Sequence, residues 1–275
     1  MVDVGELVGR GRTSNVFRYG KDSVVKVAND AVADEWPEFE SRLTHAVGEM
    51  GVMAPKVRDL VVIDGRPSVV FEYIEGPSMW QQMLAEPAQG PKLAKDLALI
   101  QKSVQAVGIP AGVPELVDRL ARKIADAEQL TDSEQSEAQE LVRSLPTGAA
   151  LLHGDLHPGN ILMGASGPVV IDWFDATIGH PVADVLRSSI LMQPSPVASP
   201  WHLPEATRDL LANVHGTYLA EHREQLDWAR DDLACWQAVV AAGRLAEGAE
   251  IDERGLLAHW NARADSHAAQ TLLLR

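Results

Sequence analysis

With 275 residues, 46% of them hydrophobic and 23% charged, the chain is long enough to bury one large core or two lobes. A net charge of −15 argues against a broad basic surface for nucleic acid, because neutralising phosphates needs clustered Lys and Arg. One cysteine, Cys235, excludes an internal disulfide framework and any multi-cysteine zinc site, which suits a reducing cytoplasm. The start, MVDVGELVGRGR, lacks a basic end followed by an apolar stretch, and no run of about 18 apolar residues occurs. The expectation is a cytoplasmic chain, neither secreted nor in a membrane.

In chain order, the first 75 residues read as short strands interrupted once by a helix. Val16 to Tyr19, a turn at Gly20-Lys21-Asp22, and Ser23 to Val27 have the chemistry of a hairpin. Glu38 to Met50 places Phe39, Leu43, Ala46, Val47 and Met50 at helical spacing, with Gly51 as a stop. Strands are expected at Lys56 to Ile63 and Ser68 to Tyr73, joined by Asp64-Gly65. From Gly76 onward the pattern is mainly helical. Leu93, Leu97, Ile100, Val104 and Val107 form one apolar face, and Leu116, Leu120, Ile124 and Ala127 another. The exceptions are two short apolar runs, Ala149 to Leu152 and Val169 to Ile171, bracketing a polar loop. A Pro-rich stretch (Pro194, Pro196, Pro200, Pro204) then reads as a connection before helices that run to the end. Trp201, Trp228, Trp236 and Trp260 read as helix-packing residues.

The bracketed loop is His153-Gly154-Asp155-Leu156-His157-Pro158-Gly159-Asn160, and Asp172 ends the apolar run twelve residues after the Asn. Phosphoryl transfer needs a carboxylate at the acceptor hydroxyl and oxygen ligands that hold Mg²⁺ on a nucleoside triphosphate. H-x-D-L-x-x-x-N followed by an Asp at a strand end supplies both. Asp155 would orient the hydroxyl and accept its proton, while Asn160 and Asp172 would hold the metal. The competing readings are a polar loop whose Asp and Asn merely cap turns, and a metallohydrolase using His153, Asp155 and His157 with His180 or His202.

The N-terminal Gly9-Arg10-Gly11-Arg12-Thr13-Ser14-Asn15-Val16 bears on that choice. A glycine-rich dinucleotide motif opens a helix, whereas this one runs into a hairpin, as a phosphate-covering flap would. Strand alternation puts Val24 and Lys26 on one face, Val24 toward the base and Lys26 toward the phosphates. Lys26 within Val-Val-Lys-Val is costly unless paired. Glu40 is the expected partner, with Glu38 and Glu35 as substitutes; the alternative is a surface lysine at a strand edge.

These features together resemble the aminoglycoside phosphotransferase and choline kinase-like family, within the protein-kinase-like fold. The resemblance spans the Gly-rich flap, Lys26, Glu40, the segment VVFEYIEG at 69–76, HGDLHPGNIL and Ile171-Asp172-Trp173. It implies a two-lobed α+β architecture, with a small antiparallel-sheet lobe over residues 1–75 holding ATP (or GTP) and a larger helical lobe over 76–275 carrying the catalytic loop and acceptor pocket. It implies nucleotide contacts from Gly9, Gly11, Ser14, Val16, Val24, Lys26 and Glu40. A hinge at Glu72 to Ile74 would bind the base through its backbone, and Asp184 would be a buried anchor for the catalytic loop. Only eleven residues separate Asp172 from Asp184, too few for a phosphorylatable activation loop, so a small molecule is the expected acceptor. Glu221 to Glu253 carries nine acids against three bases; in the family C-terminal helices wall the acceptor pocket, so an amine-bearing acceptor is expected. The function read is transfer of the γ-phosphoryl group from Mg·ATP or Mg·GTP to a hydroxyl of an aminoglycoside-like molecule. The alternatives are a metabolic kinase of an amino sugar or choline-like alcohol, and a silent nucleotide-binding module.

Overall fold

The computed structural model describes residues 4–11, 13–29, 35–193, 204–248 and 252–274. Its contacts divide the chain into two compact units, one of Met1–Trp80 with Gly159–Asp175, the other of Gln81–Pro158 with Ala176–Arg275.

The first unit is built on an antiparallel sheet of β1 (Leu7–Arg10), β2 (Ser14–Tyr19), β3 (Ser23–Ala28), β4 (Val57–Ile63) and β5 (Arg66–Glu72), in the order β1-β2-β3-β5-β4. Helix α1 (Trp36–Glu49) packs on β4 and β5. Both expected hairpin turns form. Gly20 takes φ 64° after β2, and Asp64 and Gly65 take φ 49° and 81° between β4 and β5. Two successive left-handed residues give the twist that a two-residue hairpin needs, which Asp and Gly tolerate best. The sheet closes over Val25, Ile63 and Val70, with Phe17, Tyr19 and Val27 packed against them.

Four short strands lie mid-chain: β6 (Ala150–Leu152), β7 (Ile161–Gly164), β8 (Gly167–Val170) and β9 (Thr177–Gly179). The two apolar runs predicted there do not pair with one another. β6 pairs with β9, and β8 with β7, both antiparallel. The β7–β8 hairpin belongs to the first unit because the backbone after β5 receives it. The Met163 N–H donates to Pro77 O at 2.8 Å, the Val170 N–H to Met53 O at 2.7 Å, and Ser78 bridges Leu162. This approach demands Gly76. At its φ of 153° an added Cβ would lie 2.1 Å from Met163 O.

Helices make up the rest: α2 (Met79–Ala85), α3 (Gly90–Gln105), α4 (Leu116–Ala125), α5 (Asp132–Ser144), α6 (Pro181–Met192), α7 (Glu205–Glu221), α8 (Arg223–Trp228), α9 (Leu233–Leu245), α10 (Glu253–Asn261) and α11 (Ser266–Leu273). At the centre is α9, which touches α4, α5, α6, α10 and α11. Its small residues permit that crowding: Ala238, Ala241 and Ala242 are fully buried, and a Cβ on Gly243 would meet Leu120 Cδ2 at 2.9 Å. Trp236 and Trp260 are buried, as their helix-packing reading requires, but Trp228 is 86% exposed. It stands at the end of six-residue α8, which buries no residue, so nothing among the described residues covers it. Pro194, Pro196, Pro200, Trp201 and His202 lie outside the described residues. No helix among the described residues is long and apolar enough to cross a membrane.

Candidate active site

In the first unit the chemistry gathers around Lys26. Alternation along β3 sends Val25 into the sheet core and Lys26 to the opposite face, where its side chain is 8% exposed. Nζ donates to Glu40 Oε1 at 2.7 Å and to Asp172 Oδ1 at 2.9 Å. It also lies 4.8 Å from the ring centroid of Trp36, whose edge packs on Phe174. Glu40 is therefore the partner expected for Lys26, and the second partner is Asp172 rather than Glu38 or Glu35. Burial pulls the Lys26 pKa down, but the two carboxylates outweigh it and the pKa is raised. Burial pushes the Glu40 carboxyl up to about 7, against the pull of Lys26 and with a further push from Asp172. Glu40 Oε2 is buried with no hydrogen-bond partner, consistent with that rise.

Asp172 reaches Lys26 from a left-handed backbone, φ 66°, a conformation Asp tolerates better than most residues. The strand feeding it is held on both sides. The Ile171 N–H donates to Asn160 O at 3.0 Å, and buried Trp173 ties back through Nε1 to Val170 O at 3.0 Å. The β7–β8 hairpin thus brings Asn160 against Ile171, the residue before Asp172.

The flap residues form the β1–β2 hairpin. Gly9 pairs with Val16, the Gly11 N–H donates to Ser14 O at 2.8 Å, and Ser14 is buried. Arg12 lies outside the described residues. After β5 the Glu72 N–H is taken by Lys56 O and the Tyr73 N–H by Asp22 O, both at 2.9 Å. The Ile74 N–H meets no acceptor among the described residues.

In the second unit Asp155 follows β6 on a loop fixed by Asp184. Gly154, at φ 79°, donates its N–H to Asp184 Oδ1 at 2.8 Å, and the His153 N–H reaches Oδ2 at 3.3 Å. Oδ2 also accepts from Gln101 Nε2 of α3 at 3.0 Å. Asp184 is 2% exposed in the first turn of α6, so the anchor inferred by resemblance is a buried carboxylate satisfied by loop N–H groups. One turn further on, Arg187 donates from Nη2 to Asp155 Oδ1 at 2.9 Å and from Nε to Gly154 O at 3.2 Å. Burial would raise the Asp155 pKa, but Arg187, then His157 and His153, hold it far below the usual carboxylate range. Arg187 is in turn gripped by buried Glu247.

Arg187 is absent from the candidates read from sequence, and Glu247 figures there only as one of the nine acids of the 221–253 segment. Asp184 and Arg187 stand three apart on one helix, hence on one face, and an arginine within Val-Leu-Arg-Ser-Ser-Ile was the available signal. The metallohydrolase alternative finds no support. His153 Nδ1 accepts from the Asp155 N–H at 3.2 Å, His180 Nδ1 accepts from the Val182 N–H at 3.3 Å, and no group of three or more His, Cys, Asp or Glu able to hold a metal occurs among the described residues. In the acidic segment several carboxylates already have internal partners. Glu247 is ringed by Lys123, Arg187 and Arg244, Asp252 caps α10, Glu221 pairs with Lys95 and Asp227 with Arg230. Glu250 lies outside the described residues.

A model of the phosphotransferase enzyme family, APH, matches residues 5–198. The chain belongs to this family. Solved structures agree in fold. An aminoglycoside-3′-phosphotransferase of type VIII shares 22% identity, with a TM-score of 0.59, over 86% of this chain and 91% of that one. The amicoumacin kinase hAmiN, solved with AMP-PNP, Ca²⁺ and Ami, shares 12% identity over 98% and 86% of the two chains, TM-score 0.59. The choline kinase of Cryptosporidium parvum Iowa II shares 13% identity over 98% and 91%, TM-score 0.58. No curated protein matched the sequence. Family membership and these folds make the chain a member of a phosphotransferase family with the kinase-like α+β fold, an antiparallel-sheet unit and a helical unit.

Proposed function

We propose that the protein transfers the γ-phosphoryl group of Mg·ATP, or Mg·GTP, to a hydroxyl of a small molecule, with Asp155 as the catalytic carboxylate. The observation that carries this reading is buried Lys26 held at once by Glu40 and Asp172. A desolvated ammonium fixed between carboxylates is placed for a polyphosphate better than for any role in packing. The β1–β2 hairpin with Gly9, Gly11, Ser14 and Val16 covers the phosphates, Val24 meets the base, and the backbone of Glu72 and Ile74 bonds its edge, the Ile74 N–H being available for that. Asn160 and Asp172 fit Mg²⁺. Both offer hard oxygen donors, and Asp172 Oδ2 makes no hydrogen bond or ion pair among the described residues. When bound, the ion neutralises phosphate charge.

The acceptor hydroxyl donates to Asp155, and its oxygen forms the new bond to the γ-phosphorus. The bond to the β,γ-bridging oxygen breaks, leaving its electron pair on the nucleoside diphosphate, and the hydroxyl proton passes to Asp155 and on to water. Solved relatives include an aminoglycoside-3′-phosphotransferase and a choline kinase, and we take an amine-bearing acceptor as the working class. Among the described residues, Glu224, Asp231, Asp232 and Glu253 are the acids of the 221–253 segment left to attract it. We take the cytoplasm as the working location, which a single cysteine suits. Mass spectrometry of products from a panel of aminoglycosides, amino sugars and amino alcohols with Mg·ATP tests the reading. Asp155→Ala should lower kcat by about 10²-fold or more at unchanged ATP affinity. Full turnover by the folded variant would exclude Asp155. Nucleotide binding without product from any acceptor would favour the silent module.

A further inference from the structure

Arg187 makes contacts that packing does not explain. Its fork meets Glu247 twice, Nη1 to Oε1 and Nη2 to Oε2, both at 2.9 Å, which satisfies the pair in the manner of any buried bidentate bridge. Yet Nη2 also reaches Asp155 Oδ1 and Nε reaches Gly154 O, so the same plane grips the loop by carboxylate and backbone. Glu247 is fixed in turn by Lys123 at 3.0 Å and Arg244 at 2.9 Å. Arg187 and Glu247 have side chains 9% and 6% exposed, while Asp155 is 27% exposed. The chain of charges thus runs from the interior to one half-open carboxylate. Stability is a weak reason for it, since buried ion networks can often be replaced by apolar groups at no loss, and Asp184 already ties the loop backbone.

We propose that Arg187 is a positioning residue, held in place by Glu247, that grips Oδ1 of Asp155 and so sets the orientation in which the carboxylate meets the acceptor hydroxyl. The proposal rests on Asp155 being the acceptor-facing carboxylate. The charged and titratable groups acting on Asp155 are Arg187, His157 (Nε2 3.9 Å from Oδ2) and His153, all of which favour its ionised form. Asp155 is therefore held in its ionised form as a weakly basic hydrogen-bond acceptor. It orients the hydroxyl and takes the proton late, after the new oxygen–phosphorus bond has begun to form, as a loose transition state permits.

The test uses the full chain labelled with ¹³C at the aspartate carboxyls, Asp155 being assigned by its loss in Asp155→Asn. Wild type is compared with Arg187→Met, which leaves Glu247 paired with Lys123 and Arg244, and with Arg187→Lys, which keeps the charge should the apolar variant fail to fold. In Arg187→Met the Asp155 carboxyl should titrate about 1–3 pH units higher. With the best panel acceptor, kcat should fall about 10- to 100-fold at unchanged ATP KM, and an acid limb should enter the pH profile of kcat. Arg187→Lys should restore the low titration midpoint without restoring kcat, because a single ammonium cannot reproduce the fork. An Asp155 carboxyl that titrates alike in wild type and both variants, or an unchanged kcat where it has shifted, overturns the proposal. Should wild type consume no ATP with any acceptor, the kinase reading fails by itself, while the carboxyl titration still decides whether Arg187 controls Asp155.

Discussion

Replacing Lys26 by Met removes the cation that faces two carboxylates, and the structure says how the cost must depend on pH. Glu40 is 1% exposed and, among the described residues, Lys26 is its only ion-pair partner. Burial already lifts its pKa from 4.5 to about 7. An acid whose pKa is higher in the folded state contributes its full stabilisation below the unfolded value and loses it as pH rises through the folded value. In the wild type that loss runs between about 4.5 and 7 and then stops. Without Lys26 the folded pKa moves higher, so the loss continues above 7 at about 1.4 kcal/mol per pH unit. Between pH 7 and 9 Lys26→Met should therefore lose up to about 3 kcal/mol that the wild type keeps. Urea unfolding at pH 7, 8 and 9 measures the effect, and Lys26→Met/Glu40→Gln should abolish the excess slope. Parallel stability curves for wild type and Lys26→Met above pH 7 would refute the reasoning that Glu40 depends on Lys26 for its charge. Calorimetry on the same variant should show weakened Mg·ATP binding; unaffected binding would return Lys26 to a structural role.

Asp172→Asn keeps the shape but loses the charge, so it should weaken Mg²⁺-dependent nucleotide binding as well as turnover; unchanged Mg·ATP affinity by calorimetry would assign Asp172 elsewhere. Asp184→Ala leaves the N–H groups of His153 and Gly154 without their acceptor, at about 1–3 kcal/mol for each buried donor; a melting temperature equal to wild type would show the loop held by other means. Acceptor KM should rise with salt more steeply than ATP KM, as the screening length falls from about 10 Å at 0.1 M to about 3 Å at 1 M. A neutral best acceptor with a salt-independent KM would reduce the remaining acids of the 221–253 segment to solvated surface.

Much of the site could be read in the chain because its parts are local. The hairpin turns at Gly20 and Asp64-Gly65 are set by residues that tolerate a left-handed backbone. Lys26 in an apolar strand demanded a partner, and Glu40 on the next helix is that partner. His153 to Asn160 declared a polar loop between strands. Strand pairing was less legible. β7 and β9 are four and three residues long, too short for a periodic signal, and form only because β8 and β6 lie alongside them. The exposed Trp228 shows the converse, since an aromatic residue near a helix end carries no mark of whether another element will cover it.

By itself the sequence determined the family, the α+β class and the residue types that could serve phosphoryl transfer, because backbone preferences and spacing act over a few residues. Tertiary structure alone decided which charges meet. Lys26 and Asp172 are 146 positions apart, and Arg187 and Glu247 are 60 apart. A buried carboxylate takes whichever cation the fold delivers to it within about 4 Å. The acidic segment that looked in sequence like the wall of a pocket for a cationic acceptor is, at Glu247, the inner end of a chain of charges that reaches Asp155 through Arg187.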